Sequence, residues 1–584
     1  MKFFRWTLVC CLLLSTSFAG AVTTQSTLES KKGMVVAAHP LAAKAGAEIL
    51  EQGGNAVDAA IAVSFAIGVV EPYGSGLGGE GYALMDLAGK GITAIDFRST
   101  APALASYKNL KKAGMKLKEA KYTPKGHCVP GLPAGVAKAY EMAGTLPLAT
   151  LIAPAVELAE KGFPVSKTFA KVLNDNYDKI LENTPEFLDD GLPWNEGDIL
   201  TNPALANTLR IIAEQGIDAY YHGVLADNLD AYMQENDGFM RKSDLEGYKV
   251  IVTEPVHTTY KGHDVYTSGY PVGGPRLVNL LNILEHFDFG TMGTDDPLAL
   301  HIMQEAFVLA ALDQRVIVGD PAFAKDMPKA GYASKDYARA RVMQIALDKA
   351  SNPDSWKKRR GTPEHYNQGQ DYRDVLMGRT EAPKPEADSG ADTESGSTTH
   401  FAVMDSQGNA VTWTQTISAL FGSGCMVDGY FLNTELGNFK YKKLKNDAQK
   451  INIEPGKRPR TNLTPTIVKK DGKVRWLLGT PGGSRIVTTT AQILVGVVEQ
   501  GLTLKEAVDA PKMAGYDTYK ELRLEDKFSP KTIEVLEEVF GHDVKPYAYP
   551  HLYFGGPNVI EAKEDGTLIG VGSMRRQGGA ASPN

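Results

Sequence analysis

Cysteine is scarce in this chain. Only four occur in 584 residues, and two of them, Cys10 and Cys11, lie in an apolar segment near the first residue. The other two, Cys128 and Cys425, are too few to build the disulfide framework of a small secreted protein. We therefore expect both to be free thiols with a structural role.

Other signatures are missing as well. The eleven histidines are scattered, and no spacing of His, Cys, Asp and Glu is typical of a metal site, so we expect neither a metal nor a cofactor. No repeat of fixed period is found. A net charge of -7 gives no reason to expect nucleic acid as a partner. Hydrophobic residues at 43% and charged residues at 22% are near the averages for globular proteins, which predicts a large packed core.

Residues 1–21 are typical of a secretory signal peptide. Two basic residues precede an apolar run, residues 6–14, and small residues follow at Ala19 and Ala21. A membrane anchor is the weaker interpretation, because the run is well below the roughly 18 residues that span a bilayer. We expect cleavage near Ala19 or Ala21, a periplasmic or secreted location, and no stable membrane span.

Helical and strand patterns alternate over most of the chain before residue 378. A glycine-dense turn at 71–81 follows a helical pattern and precedes a strand, which is the reverse of the dinucleotide-binding order. Close packing of the backbone explains these glycines better than a phosphate site. From about residue 130 onward, amphipathic helices are interspersed with short strands, and this predicts an α/β layer architecture instead of a solenoid or an all-β barrel.

The most informative stretch is a predicted β-hairpin that covers residues 400–417. It follows a loop rich in Pro, Asp, Glu, Ser and Gly at 381–397. A two-residue turn at Gln407-Gly408 would make Thr399 face Thr416, with Thr398 as a close diagonal neighbour of Thr416.

A threonine at the start of a strand can act as a nucleophile if the chain is cut just before it. The freed α-amino group of Thr398, with a pKa of roughly 7.7 to 8.0, would then be a built-in base. The simpler alternative is an ordinary half-buried hairpin, since threonine favours strands anyway. His400, on the same strand, is expected to orient or pack and not to serve as the base.

A second glycine-rich turn, residues 479–484, joins a predicted hairpin to a predicted helix at 485–500. A strand, a glycine turn and a helix N-terminus together present free backbone N–H groups to an anion. The turn lacks the Gly-Lys-Ser/Thr ending of a nucleotide-binding loop. An oxyanion hole formed by the N–H groups of Gly482 and Gly483 fits better.

Several short motifs have to be considered together. They are Thr398-Thr399-His400, the strand that ends at Thr416, Phe421-Gly422-Ser423-Gly424, Lys457-Arg458-Pro459 and Gly482-Gly483-Ser484-Arg485. In this combination the chain resembles the γ-glutamyltransferase (glutathione hydrolase) family of N-terminal-nucleophile hydrolases, from about Gly33 to Arg576.

The resemblance implies an α/β (α+β) fold of the four-layer αββα sandwich type. It also implies that the precursor cuts itself between Ser397 and Thr398. A large subunit, residues 22–397, and a small subunit, residues 398–584, would then form a heterodimer that remains one folded unit.

The resemblance further implies the chemistry. Thr398 would attack the γ-amide of a glutamyl substrate such as glutathione, with Thr416 supporting it by a hydrogen bond. Gly482 and Gly483 would stabilise the oxyanion, a contribution commonly worth about 3 kcal/mol per donor. The acyl group would pass to water or to an amino-acid or peptide acceptor.

One arginine is implied as a ligand of the substrate. Arg98 matches the family arginine that binds the α-carboxylate of the glutamyl group, and a planar guanidinium suits a carboxylate well. The glutamate that usually follows this arginine is replaced by Ser99.

Five further positions correspond to the family's substrate pocket, but four of them depart from its pattern. Glu435 matches an acidic or amide position. Ser418 stands where the family typically has Asn, Asn438 where it has an acid, and Thr461-Asn462 where it has a pair of serines. Replacing an acid by Asn438 removes a formal charge from the ammonium site, and a charge-assisted hydrogen bond is roughly twice as strong as a neutral one.

These departures leave several functions open. The first is a γ-glutamyl hydrolase and transferase. The second is a related amidohydrolase with altered acyl specificity, either cephalosporin-acylase-like or acting on poly-γ-glutamate. The basic segment 439–460, which is more simply a solvated loop, mildly favours the polymer. A non-catalytic binding protein on the same scaffold is the alternative from another class.

Overall fold

Two β-sheets packed face to face form the centre of the structure. The structure is a computed structural model, and it describes residues 22, 24–314, 317, 319–352, 359–367, 397–439, 451–515 and 521–584. The predicted signal peptide and most of the loop before Thr398 lie outside these residues. No helix in the described ranges is both long and apolar enough to cross a membrane.

The strands are short, as is usual in sheets of this size. In chain order they are β1 (Thr24–Gln25), β2 (Thr27–Ser30), β3 (Gly33–Ala37), β4 (Glu80–Leu87), β5 (Gly91–Asp96), β6 (Phe163–Pro164), β7 (Ile199–Leu200), β8 (Ile251–Thr253), β9 (Val256–Tyr260), β10 (His263–Thr267), β11 (Thr399–Asp405), β12 (Ala410–Thr416), β13 (Met426–Val427), β14 (Tyr430–Phe431), β15 (Thr466–Lys470), β16 (Lys473–Leu478), β17 (Met513–Ala514), β18 (Glu521–Glu525), β19 (Asp543–Tyr547), β20 (Asn558–Ala562), β21 (Leu568–Gly572) and β22 (Gly579–Ala581).

The α-helices lie mainly outside the two sheets. They are α1 (Pro40–Glu51), α2 (Ala56–Val70), α3 (Tyr107–Lys112), α4 (Leu117–Ala120), α5 (Leu132–Ala143), α6 (Leu148–Lys161), α7 (Lys167–Asp175), α8 (Tyr177–Asn183), α9 (Pro203–Gln215), α10 (Asp218–Tyr221), α11 (Val224–Glu235), α12 (Lys242–Glu246), α13 (Gly274–Leu284), α14 (Pro297–Gln314), α15 (Lys329–Ala333), α16 (Lys335–Val342), α17 (Ile486–Val498), α18 (Leu504–Asp509) and α19 (Pro530–Glu534).

Both central sheets are antiparallel. The first has the strand order β1-β22-β3-β11-β12-β4-β5-β8, and the second has the order β2-β21-β20-β16-β15-β10-β9. Each sheet contains strands from before and after residue 397. The two predicted subunits are therefore interleaved in both sheets.

The hydrophobic core separates into layers because side chains alternate between the two faces of each strand. One cluster, which includes Val36, Leu84 and Leu477, fills the space between the sheets. A second cluster packs α1, α2, α5, α6 and α9 on the first sheet, and a third packs α13, α14 and α17 on the second. These layers confirm the predicted four-layer αββα sandwich.

Helix α2 begins at a capping box, as the asparagine before it predicts. The Asn55 side chain accepts from the Val57 and Asp58 N–H groups, and Asp58 accepts from the Asn55 N–H. The helix is buried on almost every side because it lies between the first sheet and the outer helices. Its apolar character therefore reflects burial inside the protein.

The predicted register of the β11–β12 hairpin is wrong by one residue. Phe401 pairs with Trp413, and the Asp405 N–H donates to the Asn409 carbonyl. The loop therefore contains three residues, with Gly408 in the left-handed conformation at φ 86°. This geometry is common in three-residue hairpins, and the sequence alone did not distinguish it from a two-residue turn.

The corrected register has a consequence at the open end of the hairpin. Thr399 pairs with Gln415, so extending the register by one residue places Thr398 directly opposite Thr416. Side chains at directly opposed positions are closer than diagonal neighbours. The two hydroxyl groups are therefore brought together more closely than the sequence predicts.

Trp413 anchors this hairpin to the helix layer. It is fully buried, and its ring centroid lies 4.8 Å from that of Phe97 and 5.9 Å from that of Phe401. We expect Trp413→Ala to lower the free energy of unfolding by about 3 to 5 kcal/mol, since it leaves a large cavity. Urea unfolding followed by circular dichroism measures the change.

Trp413→Phe is the matched control. It keeps an aromatic ring and removes an indole N–H that has no acceptor in the described structure. The loss should therefore be clearly smaller than for Trp413→Ala, and an equal loss in both variants would contradict the packing argument.

Candidate active site

The hydroxyl groups of two threonines and one peptide carbonyl meet at the end of the central hairpin. The Thr398 hydroxyl donates to Thr416 Oγ1 over 3.2 Å, and the Thr416 hydroxyl donates to the Ser397 carbonyl oxygen over 2.9 Å. Thr398 Oγ1 also lies against that same carbonyl oxygen. The Ser418 N–H donates to Thr416 Oγ1 over 2.9 Å and holds this hydroxyl in place.

Two buried residues of opposite charge, Arg576 and Glu71, support the backbone around Thr398. The Arg576 guanidinium donates to the Thr398 carbonyl over 2.6 Å and lies close to the Glu71 carboxylate. Glu71 in turn accepts from the hydroxyls of Tyr73 and Thr399 at 2.8 and 3.1 Å. Burial raises the pKa of Glu71, and the Arg576 charge opposes this rise.

Sequence analysis did not identify Glu71 or Arg576. Each lies far along the chain from Thr398, and no local motif marks it. Only the fold brings them to the hairpin, so no local signal in the sequence could have found them.

A small cleft opens beside the two threonines. Most of the sequence-predicted site residues line it. The lining consists of Ser397, Thr398, Thr416, Ser418, Glu435, Asn438, Thr461, Asn462, Leu463, Gly483 and Ile486. Positions more than 60 residues apart in the sequence therefore form one site.

One wall of the cleft is polar. The Asn438 amide donates to the Glu435 carboxylate over 2.6 Å and to the Ser418 hydroxyl over 3.5 Å. Glu435 is almost completely buried, whereas Asn438 is half-buried. The carboxylate of Glu435 is thus held inside the cleft by the Asn438 amide.

The glycine turn after β16 lies against the cleft through Gly483. Gly482 and Gly483 have φ angles of 138° and 56°, which favour glycine at both positions. Within the described residues neither of their N–H groups donates to a protein acceptor. A short 3-10 turn, Gly483–Arg485, then leads directly into α17. Gly482 is not among the residues that line the cleft.

A family model described as gamma-glutamyltranspeptidase matches residues 42–582 of this chain. The chain belongs to the γ-glutamyltranspeptidase family. It is therefore an enzyme of the γ-glutamyltransferase type.

Individual relatives agree with this assignment. The chain is 35% identical to a glutathione hydrolase proenzyme of Bacillus subtilis (strain 168), over 95% of this chain and 92% of that protein. It is 33% identical to the acylase ACY 1 proenzyme of Pseudomonas sp. (strain SE83), over 94% and 93%. The crystal structure of a cephalosporin acylase from Bacillus halodurans superposes with a TM-score of 0.82 at 28% identity, covering 96% of this chain and 97% of that one.

Arg98, the residue matching the family's carboxylate-binding arginine, does not line the cleft. Its guanidinium makes two contacts with the Asp96 carboxylate, at 3.0 and 2.6 Å, and donates to the Pro459 carbonyl over 2.8 Å. It is 1% exposed. Through these hydrogen bonds Arg98 links the end of β5 to the segment that precedes Thr461.

The serine that replaces the family glutamate has a carboxylate of its own nearby. Glu80, on the neighbouring strand β4, accepts from the Ser99 N–H over 2.7 Å and from its hydroxyl over 2.5 Å. Burial raises the pKa of Glu80 to about 7. A carboxyl group is thus present beside Arg98 although it comes from a different strand.

The basic segment predicted as a solvated loop is partly buried. Lys457 is 1% exposed and pairs with Glu454, while Arg458 packs on the Tyr248 ring and donates to the Lys249 carbonyl. The interpretation as a solvated loop is therefore wrong for these two residues. Residues 440–450 lie outside the described part of the chain.

The remaining polar candidates show no additional chemistry. Cys128 and Cys425 are both free and buried, as expected. In the described ranges, no group of three or more His, Cys, Asp or Glu side chains could hold a metal ion.

His400 is fully buried next to the candidate nucleophile. Its Nδ1 lies 2.8 Å from the Thr414 hydroxyl, and a Cβ added at Gly479 would collide with its ring. Burial lowers its pKa to about 3. The imidazole therefore stays neutral in the folded protein at the pH values where enzymes of this kind would act.

This pKa predicts a contribution to acid sensitivity. The folded pKa is below the unfolded value of 6.5, so the contribution is complete above pH 6.5 and decreases as the pH falls from 6.5 toward 3. The free energy of unfolding should fall between pH 7 and pH 5 in the parent protein. In His400→Gln this fall should be about 2 kcal/mol smaller. Urea unfolding at both pH values measures this difference.

The same variant also tests the role assigned to His400. If the residue only packs, the dependence of kcat/KM on pH should have the same shape in His400→Gln and in the parent. The disappearance of a titration near pH 6 to 7 would instead identify His400 as a catalytic base.

Proposed function

We propose that the chain is a self-processing γ-glutamyltransferase that cuts itself between Ser397 and Thr398. The observation that carries this proposal is the contact of Thr398 Oγ1 with the Ser397 carbonyl oxygen, which also accepts a hydrogen bond from the Thr416 hydroxyl. Residues 22–397 become the large subunit and residues 398–584 the small subunit. Loss of residues 1–21 on export would place the enzyme in the periplasm or outside the cell.

The cut follows from the hydrogen bonds around the carbonyl. Thr398 Oγ1 bonds to the Ser397 carbonyl carbon, and the Thr416 hydroxyl donates to the oxygen that becomes negative. The bond between the Ser397 carbon and the Thr398 nitrogen then breaks, and the nitrogen takes the proton released by the hydroxyl. Water hydrolyses the resulting ester, which leaves Thr398 with a free α-amino group.

Turnover uses the same hydroxyl pair. The Thr398 α-amino group removes the hydroxyl proton while Oγ1 attacks the γ-carbonyl carbon of the substrate, and Thr416 holds Oγ1 in position. The N–H groups of Gly482 and Gly483 stabilise the oxyanion. The amine leaves with the transferred proton, and the acyl group passes to water, an amino acid or a peptide.

Glu435 supplies the negative charge that a γ-glutamyl substrate requires. It is the only acidic side chain among the residues that line the cleft, and the Asn438 amide orients its carboxylate. The substrate's α-ammonium group is assigned to Glu435, Asn438 and Ser418. Its α-carboxylate is assigned to Thr461 and Asn462, which also line the cleft.

Arg98 remains a predicted ligand of the α-carboxylate. In this role its ion pair with Asp96 would have to open, and Asp96 is a buried carboxylate whose pKa is lowered by Arg98 and Arg458 against the effect of burial. Breaking a buried pair is costly because it leaves a charge uncompensated. Positioning of the segment before Thr461 is the role that its present contacts support.

A second candidate function is an amidohydrolase for acyl groups without an α-amine, such as a glutaryl group, or for poly-γ-glutamate. It is favoured by Asn438, which provides no negative charge, and by the acylases among the similar proteins. The measurement that decides between the two functions is the ratio of turnover for γ-glutamyl and glutaryl anilides.

Self-cleavage predicts two bands on a denaturing gel. The purified protein should give a small fragment whose sequence begins Thr398-Thr399-His400. Thr398→Ala removes the attacking hydroxyl and should remain a single uncut chain, whereas Thr398→Ser keeps a hydroxyl and should still cut, more slowly. An intact chain in the parent protein would remove the main support for this function.

Glu435→Gln tests the assignment of the ammonium group. Glutamine keeps the size of the side chain and can still accept from Asn438, but it removes the charge. Hydrogen bonds to charged groups contribute about 1.5 to 3 kcal/mol, so kcat/KM for γ-glutamyl-4-nitroanilide should fall about tenfold or more. For glutaryl-4-nitroanilide, which has no ammonium group, kcat/KM should be unchanged or higher, and an equal fall for both substrates would contradict the assignment.

A further inference from the structure

Asn438 marks the point where the cleft meets solvent. Every other residue that lines the cleft is buried, whereas Asn438 and the preceding Gly437 are half-buried. Any part of a substrate that extends beyond the acyl pocket should therefore leave the protein past this turn.

Two lysines lie on the outer side of the same wall. Lys121 packs its methylene groups against Gly437, where an added Cβ would be 3.2 Å from Lys121 Cδ. The Lys121 and Lys179 ammonium groups lie 5.4 and 5.6 Å from the centroid of the Tyr122 ring. Tyr122 is 43% exposed, so this arrangement faces solvent.

Lys179 is also connected to the other part of the polar wall. Its ammonium group donates to the carbonyl oxygens of Leu420 and Gly422, in the loop that follows Ser418. The two lysines therefore contact the two chain segments that provide Ser418 and Asn438 to the cleft.

The two positive charges are not balanced by the protein around them. Within the described residues neither Lys121 nor Lys179 forms an ion pair. Burial lowers the pKa of Lys179 to about 8, and the charge of Lys121 adds to this effect. Like charges held close together destabilise each other, and a bound anion would remove that cost.

The surrounding segment has the same sign of charge. Residues 108–125 contain seven lysines and one acidic residue, and Lys108, Lys111 and Lys112 are exposed. Helix α4 of this segment packs on the turn Glu435–Asn438. A positive field at the mouth of a cleft raises the local concentration of anionic substrates.

We propose that Lys121, Tyr122 and Lys179, here called the basic lip, bind a carboxylate on the part of the substrate that projects from the cleft. This inference rests on the proposed acyl transfer and specifies its substrate class. The preferred substrates are amides that carry an additional carboxylate next to the transferred acyl group, as acidic peptides and γ-linked glutamate chains do.

The additional carboxylate can be carried on either side of the acyl group, and two pairs of probes distinguish the sides. For the leaving group, γ-glutamyl-4-nitroanilide is compared with γ-glutamyl-3-carboxy-4-nitroanilide. For the α-nitrogen, N-acetyl-γ-glutamyl-4-nitroanilide is compared with its N-succinyl analogue. Each ratio of kcat/KM, carboxylated over neutral, isolates the effect of one carboxylate.

We expect one of the two ratios to exceed 1 in the parent enzyme and to fall at high salt, since screening weakens exposed charge pairs. Lys121→Gln should reduce that ratio roughly two- to fivefold, which is the range for a partly exposed ion pair. Lys121→Glu should reduce the ratio further, and both variants are judged by the ratio because it cancels any change in kcat/KM that the neutral and carboxylated probes share.

Lys90→Gln is the matched control. It removes the same charge from an exposed turn at the opposite end of the β4–β5 hairpin, and both ratios should stay at the parent values. Because Lys179 also binds backbone carbonyls, Lys179→Gln is interpreted only through the ratios and not through total activity.

Failure of the basic lip and failure of the proposed function give different results. If neither kcat/KM ratio changes in Lys121→Gln or Lys121→Glu, the basic lip does not bind the carboxylate. The proposed acyl transfer is not affected by that result. If glutaryl anilides alone are turned over, the γ-glutamyl assignment fails and the ratio is measured with the carboxylated glutaryl anilide. If no substrate is turned over, the basic lip is tested by measuring the binding of a γ-linked glutamate pentamer by calorimetry. Equal Kd values for the parent protein and Lys121→Gln would reject the proposed role of the basic lip.

Discussion

The opposition of Thr398 and Thr416 across one hairpin is the constraint on which the rest of the site depends. One hydroxyl donates to the other, and the second donates to the carbonyl of Ser397, so a one-residue shift would separate all three groups. The three-residue loop at the far end fixes this register. The large apolar contacts of Trp413 then hold the hairpin against the helix layer.

The polar wall of the cleft combines an amide with one carboxylate. The amide of Asn438 cannot bind an ammonium group as strongly as a carboxylate would, but it orients Glu435, which keeps one negative charge in the cleft. Beside Arg98, Ser99 meets the carboxyl group of Glu80. In both places a carboxyl group on a neighbouring residue supplies the negative charge, and in the proposed function these positions set the substrate preference.

Local patterns predicted an α/β layer architecture, the hairpin and the glycine turn, whereas the four-layer sandwich and the residues of the substrate pocket were implied by the resemblance to the family. These features depend on strand periodicity, turn residues and short motifs, which are readable over a few residues. The register of the hairpin was missed because a loop of two or three residues fits the same sequence. Glu71 and Arg576 were missed because only tertiary packing brings them to Thr398, and the burial of Arg458 was missed because a run of basic residues ordinarily lies in solvent.

The position of Arg576 also has a consequence for when the chain can mature. Its contact with the Thr398 carbonyl joins residues 178 positions apart, and β22 must then enter the first sheet between β1 and β3. The backbone at Thr398, next to the Ser397 carbonyl, is therefore fully supported only after these late segments have been synthesised and folded. A nascent chain that ends at residue 500 would contain Thr398 and Thr416 but not Arg576, so the proposed self-cleavage would follow the completion of translation.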